Sequence, residues 1–402
     1  MNKILLSIMS VIFMCACSSG GFSQADLQEI LDAEWQAYSA GKTNFGGGLA
    51  MQIISPRGDY FISTGMGEGM SRSHRFRAAS VTKTFTAAGI MLLEQRGKLD
   101  IEHYITDNIP GTTSSYVPDA AEYDIPNKGR ITIRMLLMHR AGVFDLTNQD
   151  IVENDASRSE PYVNGNYIEY TLAGDGGHQF TFDELFGVIS RDDQVGFDGA
   201  PDSQYRYSDT GYSLLALILE RVSGKSYVDF IRDEFLTPNC LDDTTLPWEG
   251  TDKTLPDPFV SGYMWMNDEL SDVTLSNMSA FVGNGNIITT PLDLATWCQR
   301  LFHGEAGLTS ETVAAMMDGL PSIGTSTYGL GIEHMESVGY GHGGAQEGYL
   351  TEMRYKPDSD VCYVLMSNVW DCESCPASLS SLGTELSTIV GISKKVLAKM
   401  GY

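Results

Sequence analysis

The chain has 402 residues, a formal net charge of −26 and 42% hydrophobic residues. This length suits one large or two ordinary domains, and the hydrophobic content is sufficient for a packed core. The acidic balance argues against nucleic-acid binding, which needs a basic face, and it repels polyanionic surfaces at long range.

The first residues have the features of a targeting segment. An apolar run follows Lys3 and is too short to span a bilayer comfortably. The run ends in a tetrapeptide that resembles a bacterial lipoprotein signal, with Cys17 as the lipidated residue. Met14 is a weaker match at its position, so cleavage without lipidation stays open. We predict a signal peptide over residues 1–17, a tether over 18–24, and an exported protein that is periplasmic or anchored to the membrane only through this lipid.

Seven cysteines are present, and two of them belong to the leader. Cys372 and Cys375 have CxxC spacing, but no second such pair exists to complete a zinc site. In an exported chain, a local disulfide and two free thiols are equally compatible with this spacing. We expect neither a metal nor a redox role here.

Periodicity and turn residues predict the elements in chain order. Helices are predicted at residues 24–40, 80–94, 131–139 and 210–222, from Thr290 onward and from about 377. Strands are predicted at 48–54, 59–63, 328–332, 348–355 and 361–366. Residues 145–200, rich in Gly, Asp and Asn, have few periodic stretches and are expected to border a cleft. Strands near both ends predict an α+β fold, with one antiparallel sheet built from both termini and an inserted, mostly helical lobe.

Three short segments carry candidate chemistry. Ser80 and Lys83 lie one turn apart on one helix face, an arrangement that can activate a hydroxyl without a histidine. Alone, a Ser-x-x-Lys match is weak. The second segment is centred on Tyr207, directly before a strong helix. The third is Gly341-His342-Gly343-Gly344-Ala345, just before a predicted strand.

Together these segments resemble the serine β-lactamase/penicillin-binding-protein superfamily, on the branch of class C β-lactamases, DD-peptidases and related esterases. The Ser-x-x-Lys, Tyr-x-Asn and Lys/His-x-Gly boxes of that branch fall at Ser80, Tyr207 and His342, in the family order. The resemblance covers roughly residues 25–400. It implies an antiparallel sheet flanked by helices, a mostly helical second lobe, and an active site between them.

The predicted domain organisation follows from that resemblance. A single catalytic domain is expected over residues 25–400. Its sheet lobe is expected at about 25–80 and 300–400, and its helical lobe at about 81–299.

The resemblance also implies a role for each site residue. Ser80 would attack a carbonyl and form an acyl-enzyme, with the backbone N–H groups of Ser80 and Ala345 as oxyanion donors. Lys83 and Tyr207 are both candidate bases, and we leave the choice open because they would titrate as a pair. Tyr207 would also protonate the leaving group. His342 can donate a hydrogen bond toward the nucleophile or substrate, and no cofactor is required.

Three further positions shape the expected substrate. Gly344 leaves room for substrate along the strand edge. Asp209 stands where many relatives have Asn, so it can accept but not donate a hydrogen bond when ionised. Glu333 stands where some DD-carboxypeptidase-like members have Arg, and it is expected to repel a substrate carboxylate. Asp209 and Glu333 both favour an ester or an amine-bearing peptide over a D-Ala-D-Ala terminus.

The sequence thus predicts an exported serine hydrolase, most like a D-alanyl-D-alanine carboxypeptidase, acting on a small molecule or a cell-wall peptide. A β-lactamase or carboxylesterase of the same family stays open, as does a non-catalytic penicillin-binding or sensor protein. His139 is expected to be a structural, hydrogen-bonded histidine. Residues 283–286 are expected to form a turn.

Overall fold

The structure is a computed structural model that describes residues 21–153, 160–191, 200–373 and 379–402. The predicted leader, Cys17 and Cys375 lie outside these residues. Lipidation and the state of the Cys372/Cys375 pair therefore stay predictions.

Six helices of the described part begin within about two residues of predicted starts, and the other four were not predicted. They are α1 (Gln24–Ser39), α2 (Thr82–Gln95), α3 (Ile133–Leu137), α4 (Tyr167–Gly174), α5 (Phe182–Arg191), α6 (Asp209–Ser223), α7 (Tyr227–Ile231), α8 (Pro291–Phe302), α9 (Ser310–Met317) and α10 (Leu379–Met400). Side-chain oxygens of Thr132, Ser208 and Thr290 cap α3, α6 and α8 as N-cap residues do. Among the described residues, no helix is both long and apolar enough to cross a membrane.

The described strands form one large sheet and two small ones. They are β1 (Leu49–Ser55), β2 (Gly58–Thr64), β3 (Phe76–Arg77), β4 (Tyr263–Met266), β5 (Glu269–Asp272), β6 (Ile288–Thr289), β7 (Leu320–Pro321), β8 (Thr327–Tyr328), β9 (Glu333–Met335), β10 (Gly339–Gln346), β11 (Tyr349–Lys356), β12 (Val361–Ser367) and β13 (Val369–Asp371). The large sheet has the order β2-β1-β12-β11-β10-β9-β8-β7 and is antiparallel throughout.

The large sheet joins the two ends of the chain. Leu49 of β1 lies opposite Ser367 of β12, so neighbouring strands of this sheet are more than 300 residues apart in the sequence. Helices α1 and α10 pack on one face, and α8 packs on the other with the turn that leads into α2. The predicted α+β fold, an antiparallel sheet flanked by helices, is confirmed.

Two of the helices that were not predicted lie within one segment, and two predictions about local structure were wrong. Helices α4 and α5 form within residues 145–200, which showed few periodic stretches. Residues 329–332 are not a strand, because the chain turns at Gly331 with φ +77°. The Gly341–Ala345 segment does not precede a strand but lies inside β10.

Helix α2 is buried on every side, as expected for a central helix. Its residues from Thr82 to Leu93 are all buried. The Phe85 ring stacks on Trp297 of α8 at 4.0 Å between centroids, and the Trp297 indole donates to the Thr84 hydroxyl at 3.0 Å. The residues at the start of α2 are therefore held rigidly between the sheet and the helical lobe.

Candidate active site

The candidate nucleophile sits on a tight turn at the start of α2. A single 3₁₀ turn, Ala79–Val81, carries Ser80 into the helix. Ala79 is buried and has φ +50°, a left-handed conformation that costs a non-glycine residue about 1 kcal/mol. This turn presents a half-buried Ser80 at the helix N-terminus, where developing negative charge is favoured.

Lys83 is the centre of the polar contacts around Ser80. Its Nζ lies 3.1 Å from Ser80 Oγ and 2.6 Å from Asp209 Oδ1. It also donates to the backbone carbonyl of Asn284 at 2.8 Å. Burial lowers the pKa of Lys83, and the Asp209 carboxylate opposes this shift. A lysine amine with a lowered pKa, next to the hydroxyl, is suited to accept the Ser80 proton.

Tyr207 approaches the same hydroxyl from the segment before α6. Its hydroxyl interacts with the Ser80 side chain, and Lys83 Nζ lies 4.9 Å from its ring centroid. Loss of hydration in the protein interior raises the pKa of Tyr207 well above its usual value, and the negative charge of Asp209 adds to this effect. Tyr207 is therefore protonated, which favours Lys83 as the base and Tyr207 as the proton donor.

His139 has the structural role that the sequence indicated. Its Nδ1 accepts the backbone N–H of Ser208 at 3.1 Å, so the ring proton is on Nε2. Its ring lies against the rings of Tyr205, Tyr207, Tyr212 and Tyr328, at centroid distances of 4.2 to 5.9 Å. Burial lowers the pKa of His139 well below its usual value, so a neutral ring supports Tyr207.

His342 is neutral and has both ring nitrogens engaged. Its Nδ1 bonds the backbone carbonyl of Gly343, an acceptor only, so Nδ1 carries the proton. Its Nε2 then accepts from the Tyr328 hydroxyl at 2.9 Å. Burial, followed by the charge of Lys83, lowers the pKa of His342 to about 4. His342 therefore donates its hydrogen bond to the Gly343 carbonyl of its own strand, β10, and not toward Ser80 or a substrate as expected.

Strand β10 runs directly against the nucleophile turn. A Cβ at Gly344 would lie 2.3 Å from the Ala78 carbonyl oxygen and 3.3 Å from the Ser80 nitrogen. Only glycine fits there, because β10 packs against the backbone of the nucleophile turn, and the predicted room for substrate at Gly344 stays a prediction. Ala345 follows in the same strand, and its oxyanion role stays a prediction.

The loop at residues 283–287 holds the start of α2. The Gly283 carbonyl accepts from Thr86 at 2.6 Å, and the Ile287 N–H donates to Thr82 at 3.0 Å. The Asn284 side chain donates to Ser213 of α6 at 2.9 Å, which fixes the carbonyl that Lys83 binds. The sequence predicted only a turn here. It could not identify the carbonyl that binds Lys83, because every residue has a backbone carbonyl.

Glu333 does not stand free in the site. Its Oε2 lies 2.6 Å from a guanidinium nitrogen of Arg354, which is 1% exposed and also pairs with Glu352. Because of this cation, the pKa of Glu333 is lowered despite burial.

Glu352 lies on the side of the sheet that faces away from the nucleophile. A Cβ at Gly343 would lie 3.2 Å from Glu352 Oε2 and 3.7 Å from Leu386 of α10, on the face of β10 opposite to that of Gly344. The structure does not support the expected repulsion of a substrate carboxylate by Glu333, since the Arg354 guanidinium balances the charge of Glu333.

Comparisons with known proteins identify the family of this chain. The sequence matches the Beta-lactamase family over residues 48–375. Penicillin-binding protein 4* of Bacillus subtilis (strain 168) is 26% identical over 308 residues, which cover 73% of this chain and 60% of that protein's length. Penicillin-binding protein 4 of Amycolatopsis lactamdurans is 25% identical over 323 residues, covering 76% of this chain and 75% of that protein.

Solved structures show the same fold at lower identity. D-amino acid amidase from Ochrobactrum anthropi SV3, in complex with L-phenylalanine amide, has a TM-score of 0.70 at 23% identity, covering 94% of this chain and 99% of that one. D-stereospecific amidohydrolase from Streptomyces sp. has a TM-score of 0.68 at 24% identity, covering 86% of this chain and 94% of that one.

Within the described residues, no group of three His, Cys, Asp or Glu side chains is arranged to hold a metal ion.

Proposed function

This chain belongs to the Beta-lactamase family of serine hydrolases, and we propose that it is exported and acts through an acyl-enzyme on Ser80, most like a D-alanyl-D-alanine carboxypeptidase. The observation that carries this proposal is the 3.1 Å contact between Lys83 Nζ and Ser80 Oγ, with the Tyr207 hydroxyl beside the same serine.

The chemistry follows from the protonation states. In its deprotonated form, Lys83 takes the Ser80 proton as Oγ attacks the substrate carbonyl, and the N-terminus of α2 favours the oxyanion that forms. The Tyr207 hydroxyl gives its proton to the departing amine, and Lys83 then returns the proton to Tyr207. Water attacks the acyl-enzyme by the reverse sequence of proton transfers and releases Ser80.

A second candidate substrate class is supported by the charges in the site. His342 is neutral where many relatives have Lys, and Lys83 is paired with Asp209. Neither side chain therefore offers a free positive charge to a substrate carboxylate. This favours amides or esters without that carboxylate. The names of the D-amino acid amidase and the D-stereospecific amidohydrolase indicate amides as the substrates of those two proteins.

Intact-mass detection of the acyl adduct tests the catalytic proposal. The wild type, Ser80→Ala and the exposed control Ser114→Ala are each mixed with a penicillin and an activated ester. An adduct is expected on the wild type and the control and not on Ser80→Ala. Labelling and turnover that persist in Ser80→Ala would disprove the role of Ser80, and a wild type inert toward every probe would favour a binding protein.

A matched substrate pair separates the two classes. One peptide ends in D-Ala-D-Ala, and the second is identical except that its terminal carboxylate is an amide. Faster cleavage of the acid supports the carboxypeptidase, and faster cleavage of the amide supports the amidase-type substrate. Rapid decay of the penicillin adduct would instead identify a β-lactamase.

Export is tested separately, since it rests on residues 1–17. We expect the full chain to fractionate with the cell envelope, and Cys17→Ala to abolish incorporation of labelled fatty acid. A wild type that stays in the cytosol would contradict this part of the proposal without touching the chemistry.

A further inference from the structure

Two aspartates from different segments meet behind Lys83. Asp145 lies in the loop after α3, and Asp209 is the first residue of α6. The Nδ2 group of Asn148 donates to Oδ2 of both carboxyl groups, at 2.8 Å to Asp145 and 3.0 Å to Asp209. Asp209 Oδ1 in turn lies 2.6 Å from Lys83 Nζ. One continuous chain of contacts thus links Lys83 to Asp145.

Asp145 is buried and incompletely hydrogen-bonded. It is 2% exposed, and among the described residues its Oδ1 makes no hydrogen bond of good geometry. The Leu146 N–H donates to Thr210 at 2.9 Å, which fastens the Asp145 loop to α6. A carboxyl group enclosed in this way is costly to ionise. Burial, followed by repulsion from Asp209, raises the pKa of Asp145 to about 7.

The charges around Asp145 come from two packed elements. Lys83 faces it from α2 and favours its ionised form, whereas Asp209 at the start of α6 opposes ionisation. Tyr207, whose neutral phenol is itself affected by Asp145, stands just before α6. Lys83 therefore faces one negative charge when Asp145 is protonated and two when Asp145 is ionised.

We propose that Asp145 is a positioning residue that acts through Asn148 and Asp209 to set the charge on Lys83, and with it the pH range in which Ser80 is activated. This inference rests on the proposed function, since it assigns the control of the same Lys83 amine. An ionised Asp145 stabilises the Lys83 ammonium and removes the base, and a protonated Asp145 releases it. The two groups titrate as a coupled pair.

The test is the pH profile of Ser80 acylation by an activated ester, followed from pH 4.5 to 9.5. In Asp145→Asn, the acid limb of the second-order rate constant is expected to move down by about one pH unit or more, because one negative charge near Lys83 is lost. Asp145→Glu should restore the wild-type limb. Asp150→Asn, the same change at an exposed site of the same loop, should leave the profile unchanged.

A purely structural role predicts a different result. If Asp145 only stabilises the fold, Asp145→Asn would lower the acylation rate constant by the same factor at every pH and leave the acid limb of the profile in place. That result would overturn the inference. If Asp145→Asn fails to fold, Asp145→Ser replaces it, because it removes the same charge and leaves the bond from Asn148 to Asp209 in place. The acid limb must then move in the same direction, and an unshifted limb would again overturn the inference. Failure of the proposed function is distinguishable, because acylation would then not depend on Ser80 at all.

Discussion

Replacing Tyr207 with Phe should make the enzyme selective for good leaving groups. Tyr207 is held protonated by its surroundings and by Asp209, so its removal deletes a proton donor and leaves Lys83 next to Ser80. Cleavage of an unactivated amide needs that donor, and we expect its acylation rate constant to fall about 10²- to 10⁴-fold. A p-nitrophenyl ester needs no proton on its leaving group, and its rate constant should fall less than about tenfold.

The measurement is a single-turnover acylation rate at one pH, with an ester and an amide that share one acyl group. Tyr104→Phe serves as the control, because Tyr104 is 46% exposed. Lys83→Met should slow both substrates, since it removes the base. Equal losses of 10²-fold or more for both substrates in Tyr207→Phe would refute this reasoning and make the phenolate the base.

Three further changes test the supporting structure. Arg354→Met leaves Glu352 buried without its cation, so the free energy of unfolding should fall by about 3–5 kcal/mol in equilibrium denaturation, and a second change, Glu352→Gln, should recover part of it. Failure to recover would contradict the buried-pair explanation. Gly331→Ala places a Cβ 2.2 Å from a methyl carbon of α2 and should cost about 1–3 kcal/mol more than Gly324→Ala, which shares the positive φ but has open space. Equal losses would exclude the clash. His342→Lys restores a cation, so the ratio of kcat/KM for the peptide acid over the peptide amide should rise about tenfold, and an unchanged ratio would contradict the charge argument.

The sequence predicted the elements whose signals are local. Thr132 and Thr290 mark helix starts as N-cap residues, and the two hairpins of the large sheet follow from alternation around turn residues. Ser80, Lys83 and Tyr207 could be named as candidates because their chemistry depends on residue type and order. The structure brings these three side chains together, as the resemblance implied.

The remaining features depend on tertiary contacts. The carbonyl of Asn284 and the hydroxyl of Tyr328 reach the site through folding of distant segments, and neither has a distinctive neighbouring pattern. Helix α4 was missed because polar and small residues surround it. Its one local signal was Asn166, whose side chain caps the helix by accepting from Ile168 and Glu169.

The pairing of β1 with β12 has a consequence for how the chain folds. Strand β1 has hydrogen-bonding partners on both sides, and the second partner is Val361–Ser367 near the end of the chain. During synthesis the first hairpin therefore keeps an open edge until residues up to Ser367 have emerged, and closing so long a loop is slow. An unpaired strand edge is the kind of surface that aggregates, so a chain truncated before β12 would be left with a permanent aggregation site.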